Sequence, residues 1–341
     1  MSAHALPASA ETLPFSTRFV AAREASALLA DPRVLAMVEF GDELGEAARD
    51  PPRDPRRIRV GLRQLGATRI AEVWESESPV ETGTRGRVAY AMNDQVLVGQ
   101  VAVDDRRYPS LEEAARAAYE SFLPVTDALG FRHCLRLWNY VPDVNAEEHG
   151  IERYKAFCVG RHAAFAAIGL PERRLPAASG VGSRSGELLA YFLAAREPGV
   201  QVENPRQVSA FHYPSRYGPK SPAFSRAVVK DWGAVKHLYI SGTASIVGHA
   251  SRHGERVVAQ AEESLRNVRA LMQKADSEHG IGARDLSDLT QIKVYVRDAG
   301  DLDAIRGCIE REVSDPRRVL YLAGDLCRAD LLVELEALYT G

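Results

Sequence analysis

The chain has 341 residues, 45% of them apolar and 26% charged, an ordinary balance for a soluble globular protein of two domains or of two halves of one unit. A net charge of −3 gives no reason to expect a nucleic acid partner, and no apolar run approaches membrane-spanning length. The four cysteines, Cys134, Cys158, Cys308 and Cys327, lack Cys-x-x-Cys spacing, which argues against a zinc knot or redox pair and for reduced thiols in the cytoplasm.

Residues 1 to about 15, rich in Ala, Ser and Pro, read as a loose leader without the basic-then-apolar signature of a signal peptide. Residues 25–40 carry helical character through Leu28, Leu29, Val34, Leu35 and Val38. Three prolines between Asp50 and Arg56 impose a loop. Strands are expected at Ile58–Leu62, Ile70–Trp74 and Val88–Met92, and at Val96–Val103 after an Asn93-Asp94 turn. Residues 110–129 form a helix capped by Ser110, with Glu112 and Glu113 in its first turn and Gly130 at its end. A strand at Leu135–Val141, a helix from about Ala146 to Ile168 and a strand at Leu188–Ala195 follow.

The second half repeats this order. His237–Ser241, Ile292–Val296, Val319–Leu322 and Leu331–Leu338 read as strands, and Glu255–Lys274 and Leu302–Val313 as helices. Leu137-Trp-Asn-Tyr-Val-Pro-Asp143 matches Ile292-Lys-Val-Tyr-Val-Arg-Asp298, and residues 186–194 match residues 329–337. The expected fold class is therefore α+β, a degenerate internal duplication of a β–β–β–α–β–α–β unit. Its expected divisions are residues 1–50, a leader and helix; 51–200, a scaffold domain; and 201–341, the domain that carries the chemistry.

The last strand supplies the reason for that assignment. Leu331, Val333, Leu335 and Ala337 fall on one face, and Leu332, Glu334, Glu336 and Leu338 on the other. A solvent-facing polar face is the default for such a strand. In the aligned repeat, however, Glu334 falls opposite Tyr191 and Glu336 opposite Leu193. A face that was merely wet would be polar in both copies. The asymmetry assigns chemistry to the C-terminal copy.

Leu238-Tyr-Ile-Ser-Gly-Thr-Ala, Ala259-Gln-Ala-Glu-Glu-Ser-Leu-Arg-Asn-Val, Lys293-Val-Tyr-Val-Arg-Asp and Leu332-Val-Glu-Leu-Glu-Ala resemble blocks of the RidA/YjgF fold. The resemblance implies two RidA/YjgF-like (chorismate-mutase-like) sheet-plus-helices units. It also implies a possible homotrimer, since that family forms trimers with a small-molecule pocket between subunits. Nearly the whole chain is similar to the chorismatase family, through Trp138-Asn-Tyr-Val, Tyr154-Lys-Ala-Phe-Cys-Val-Gly-Arg161, Glu203-Asn-Pro, His212-Tyr-Pro-Ser-Arg-Tyr-Gly-Pro219 and Gly242-Thr-Ala-Ser-Ile-Val-Gly-His249. These are enzymes that remove the enolpyruvyl side chain of chorismate, and the closest likeness is to the branch that makes 3-hydroxybenzoate.

The resemblance places Glu334 at the family's catalytic glutamate. A glutamate on an apolar face beside a second carboxylate has its pKa raised by desolvation and like charge, as an acid that protonates the enolpyruvyl methylene requires. Arg161 and Arg226, the arginines inside motif blocks, are expected to bind the substrate carboxylates, with hydrogen bonds from Tyr154 and Tyr217. Glu336 either tunes Glu334 or is structural, the second being favoured. Tyr213 is expected to be a packed aromatic, and His212 and His249 loop anchors. Gly242 stands where the resemblance gives the hydrolytic branch a bulkier residue, and Cys327 where that branch tends to alanine. Both point to displacement of pyruvate by the ring's own C4 hydroxyl rather than by water. No metal or cofactor is signalled by ligand spacing. A chorismate hydrolase giving a dihydroxycyclohexadiene carboxylate is the first alternative. A RidA-like enamine or imine deaminase or small-molecule binder, using Arg317 or Arg318, is the second.

Overall fold

The computed structural model describes residues 13–42, 52–184 and 186–341. The expected leader therefore lies almost wholly outside the described residues, as does the start of the proline loop.

The first described elements are β1 (Ser16–Ala21), α1 (Ala22–Leu28), β2 (Val34–Phe40), β3 (Arg57–Val60) and β4 (Ile70–Glu75). They form a four-stranded sheet in the order β1-β4-β2-β3. The helix expected over 25–40 is thus corrected: it ends at Leu28, and Val34–Phe40 is a strand. That run is apolar on both faces, with Leu35, Val38 and Phe40 in one core cluster and Val34 and Met37 in another, which is the pattern of a covered central strand and not of an amphipathic helix.

Two six-stranded sheets follow. The first takes β5 (Glu81–Arg85), β6 (Val88–Met92), β7 (Val96–Val103), β8 (His133–Pro142), β11 (Ala177–Ser183) and β12 (Leu188–Ala195). Two-residue strands β9 (Glu147–Glu148) and β10 (Ile151–Glu152) form a separate ladder. The second sheet takes β13 (Val200–Val202), β14 (Ala227–Asp231), β15 (Lys236–Ala244), β18 (Gln291–Val296), β19 (Val319–Ala323) and β20 (Val333–Thr340). Another short ladder joins β16 (Ile246–Val247) and β17 (Ala250–Ser251). Reading from the same edge, the orders are β5-β6-β7-β12-β8-β11 and β13-β14-β15-β20-β18-β19. In each, only the last pair is parallel. The duplication is therefore real at the level of topology.

Register corrects one detail of the sequence alignment. Trp138 pairs with Tyr191 and Tyr140 with Leu189, whereas Lys293 pairs with Glu336 and Tyr295 with Glu334. With Trp138 equated to Lys293, Leu189 and Tyr191 stand where Glu334 and Glu336 stand. The last strands slip by two residues relative to the sequence match, which leaves every side chain on its expected face.

Each sheet is covered on one side by its own helices. α2 (Leu111–Ala128) and α3 (Arg153–Ala167) cover the first; α4 (Val257–His279) and α5 (Leu302–Glu310) cover the second. Ser110 caps α2 as expected, its Oγ accepting from Glu113 N at 3.3 Å. α3 begins at Arg153 and not near Ala146, because Asp143, His149 and Gly150 all have positive φ and hold a turn there. Gly160 lets α3 lie against α2: a Cβ there would stand 2.1 Å from the Glu112 carbonyl oxygen. The other faces of all three sheets meet in one core, with Trp74 from the N-terminal sheet, Trp138 and Tyr191 from the first repeat, and Tyr239, Tyr295 and Leu338 from the second. None of the helices among the described residues is long and apolar enough to cross a membrane.

Candidate active site

Strand β20 sorts its side chains as the sequence indicated. Val333, Leu335 and Ala337 pack beneath α4 and α5, while Glu334 and Glu336 face the first repeat. Both carboxyls are buried, at 4% and 3% exposure, but their surroundings differ.

Glu336 is held from three sides. Its Oε2 accepts from Arg136 Nη2 at 2.8 Å and from Ser179 Oγ at 2.5 Å, and its Oε1 accepts from Trp138 Nε1 at 2.7 Å. Lys293 Nζ lies 3.3 Å from the same Oε1 and 2.6 Å from Glu72 Oε2. Burial would raise this carboxyl, but the Lys293 and Arg136 charges, with the Ser179 and Trp138 hydrogen bonds, hold it below the ordinary carboxylate range. Glu336 is ionised.

Glu334 lines a cleft of about 170 Å³ at the junction of the two repeats. Burial first, and the Glu336 charge second, push its carboxyl up to about 8, against the opposing pull of Arg136 and Arg226. It therefore carries its proton at neutral pH.

Six of the seven residues singled out in the sequence meet in this cleft: Tyr154, Tyr217, Arg226, Gly242, Cys327 and Glu334. Tyr154 lies in the first turn of α3, and burial lifts its phenol well above its usual range, so it stays neutral, with a proton to donate. Arg226 enters just before β14, buried to 3% exposure. Its Nη2 donates to Tyr213 Oη at 2.6 Å and to the Val208 carbonyl at 2.9 Å, while its buried Nε has no partner. Tyr217 Oη is 3.1 Å from His249 Nδ1. Gly242 sits where the β15–β20 register shifts, with Glu334 directly before it. Burial, then the nearby Glu334, push the Cys327 thiol up to about 12, so it is a neutral wall.

Arg161 is not on the cleft wall. It lies behind Tyr154 on α3, 2% exposed, its guanidinium 5.0 Å above the Phe157 ring, with Nε and Nη2 unpartnered. His249 anchors the Tyr217 loop as expected, and exposed His212 approaches Glu172 at 3.3 Å. Tyr213 is more than a packed aromatic: it lines the cleft and holds Arg226.

The sequence reading missed Arg328. Its guanidinium stacks 4.2 Å above the Tyr217 ring and donates to the His249 carbonyl at 3.0 Å. Its neighbour Cys327 was the one available signal. Arg136 and Lys293 were missed as well, since a single cation inside a strand announces nothing until its partner strand is known. Arg216 and Lys155 stand at the cleft mouth, and Lys155 pairs with Glu152 at 3.1 Å. The cleft thus joins several cations and phenol groups to a protonated acid, an arrangement suited to binding a small anion and giving it a proton.

The chain belongs to the chorismatase family. Residues 72–194 match the family described as chorismatase FkbO/Hyg5-like, N-terminal. It is 38% identical to a 3-hydroxybenzoate synthase of Streptomyces hygroscopicus over 277 residues, 78% of this chain and 80% of that protein. It is likewise 38% identical over 274 residues to a chorismatase of Streptomyces rapamycinicus, covering 78% and 81%. A chorismatase crystal structure superposes with a TM-score of 0.86 at 33% identity, over 96% of this chain and 99% of that one.

Proposed function

We propose that the protein converts chorismate into 3-hydroxybenzoate and pyruvate, with Glu334 as the acid. The observation that carries this reading is a buried carboxyl, protonated at neutral pH, facing a cation-lined cleft. Glu334 delivers its proton to the enolpyruvyl methylene, leaving an oxocarbenium centre on the side-chain carbon. The ring's C4 hydroxyl oxygen then attacks C3, the C3–O bond breaks, and its electron pair becomes the carbonyl of pyruvate. The hydroxyl proton returns to the Glu334 carboxylate. The epoxide-like ring opens and aromatises. Chorismate is the sum of the two products, so no water is consumed.

Arg226, with its unpaired Nε, and Arg328 suit the two substrate carboxylates, and Tyr154 and Tyr217 add hydrogen bonds. Arg161, with two unpartnered donors behind Tyr154, supports a role in holding that wall cationic. Gly242 and Cys327 act on product choice by setting the space beside Glu334. The deaminase alternative loses support: Arg317 pairs with Asp315 at 2.9 Å and is exposed, and Arg318 donates to the Ser287 carbonyl at 3.0 Å. We assign the scaffold role to the first repeat within residues 51–200 and the acid to residues 201–341, in a cytoplasmic enzyme; the expected division at residue 50 is corrected, since β3 and β4 complete the N-terminal sheet with β1 and β2. A homotrimer, if formed, uses surfaces other than the three sheet faces, which already close one core within a single chain.

The test is incubation with chorismate in deuterium oxide, with immediate reduction of pyruvate to lactate and mass spectrometry of both products. Unlabelled-ring 3-hydroxybenzoate and a methyl group carrying one deuterium support the reading, provided both vanish in Glu334→Gln. A non-aromatic diol moves the enzyme to hydrolysis.

A further inference from the structure

The ion pairs around Glu336 do not end there. Trp74 Nε1 donates to Glu72 Oε1 at 2.8 Å, Glu72 Oε2 meets Lys293 at 2.6 Å, and Lys293 meets Glu336 at 3.3 Å. Arg136 completes the line at 2.8 Å from Glu336. All four charged side chains are buried. They come from β4, β18, β20 and β8, so each of the three sheets contributes to one neutral row of alternating charge. Burial alone would discharge Lys293, but Glu72 and Glu336 raise it further than burial lowers it.

Such a row is not the usual way to fill a core: replacing a buried ion pair by apolar residues of similar volume is often neutral or stabilising. What distinguishes the row is its end: Glu336 lies two residues from Glu334 on the same strand face, roughly 7 Å along the strand. The other groups facing Glu334 are Arg136 from β8, Arg226 before β14, Tyr154 from α3 and Cys327 before β20. Of these groups, only Glu336 holds a permanent negative charge.

We infer that Glu72, Lys293, Glu336 and Arg136 are positioning residues that together set how readily Glu334 gives up its proton: the two carboxylates hold the proton on, and the two cations, which keep Glu336 in place, moderate that hold. The row reaches Glu334 through space, by the sign of each charge. Removing a negative member lets Glu334 ionise more easily; removing a positive one does the opposite. A purely structural row would lose stability on either change and leave the titration of Glu334 where it was.

This inference rests on Glu334 being the acid, and its test is read first without substrate. The carboxylic C=O band of Glu334 is isolated by infrared difference between each protein and its Glu334→Gln counterpart, and followed against pH. Glu336→Gln moves the midpoint down by about one pH unit, Glu72→Gln down by a few tenths, and Lys293→Met up by a similar amount. In the charge-neutral pair Glu72→Gln with Lys293→Met the two shifts cancel, and the midpoint returns to the wild-type value. Glu72→Gln, farthest from the cleft, decides the matter if Glu336→Gln does not fold. Midpoints that ignore the sign of the removed charge overturn the inference. The basic limb of kcat with chorismate moves in parallel. If the band shifts as stated but no chorismate is consumed, the proposed reaction fails while the row's effect on Glu334 stands.

Discussion

The Oε1 atom of Glu334 stands 2.1 Å from the point where the first carbon of any side chain at position 242 would lie. The Glu334 carboxyl can keep this position only while residue 242 has no side chain. Gly242→Ala pushes the Glu334 carboxyl out of place, since Ser179 Oγ, 3.2 Å from the same point, blocks the other side. A displacement of this size costs about 10–100-fold in kcat for 3-hydroxybenzoate. The share of diol among the products rises. Chromatography of both products checks this; an unchanged rate and ratio would remove Gly242 from the argument.

Glu334→Gln lowers kcat by about 10²–10⁴-fold, since glutamine cannot donate an acidic proton. It also alters stability in a fixed direction. The folded chain keeps this proton up to about pH 8, the unfolded chain only through the ordinary carboxylate range. Between those limits the folded state binds the extra proton, so wild-type stability falls as pH rises. The variant lacks that slope and gains on the wild type by on the order of a few kcal/mol at pH 8. Urea titrations at pH 5 and pH 8 measure it.

Arg328→Gln removes a guanidinium that stacks on Tyr217 and lines the cleft. KM for chorismate rises about tenfold, the worth of one partly solvated charge-assisted bond. The melting temperature changes little, because the His249 carbonyl that loses its donor is near solvent. A KM equal to wild type would show that the substrate does not reach this cation.

Gly160→Ala forces α3 away from α2, because the new methyl would stand 2.1 Å from a backbone oxygen. Overpacking of this kind costs about 1–3 kcal/mol. Tyr154 and Arg161 ride on the same helix, so KM rises along with the loss in stability. Thermal melts and steady-state kinetics test the two effects separately.

The sequence was legible where a periodic pattern met a single environment. β20 alternates because one side faces helices and the other faces a core, and α2 shows its cap and stripe for the same reason. β11 was missed: Ala177-Ala-Ser-Gly-Val-Gly-Ser has neither alternation nor bulk, and is a strand because β8 supplies a parallel partner. β5, Glu-Thr-Gly-Thr-Arg, is a polar edge with the same difficulty. At the site, the residues inside aromatic-rich blocks were found. Arg328 was not, because its role comes from stacking on Tyr217, 111 residues earlier in the chain.

The repeated sheets carry a consequence for how such a site can change. In an assembly of identical subunits, every substitution appears at once in each copy, so a wall and the wall facing it cannot vary independently. Here Leu189 and Tyr191 occupy the places that Glu334 and Glu336 hold in the other repeat. Because both walls of this cleft lie in one chain, its two sides mutate separately. An acid can be installed on one side while the other is left free to fit the ring it must hold.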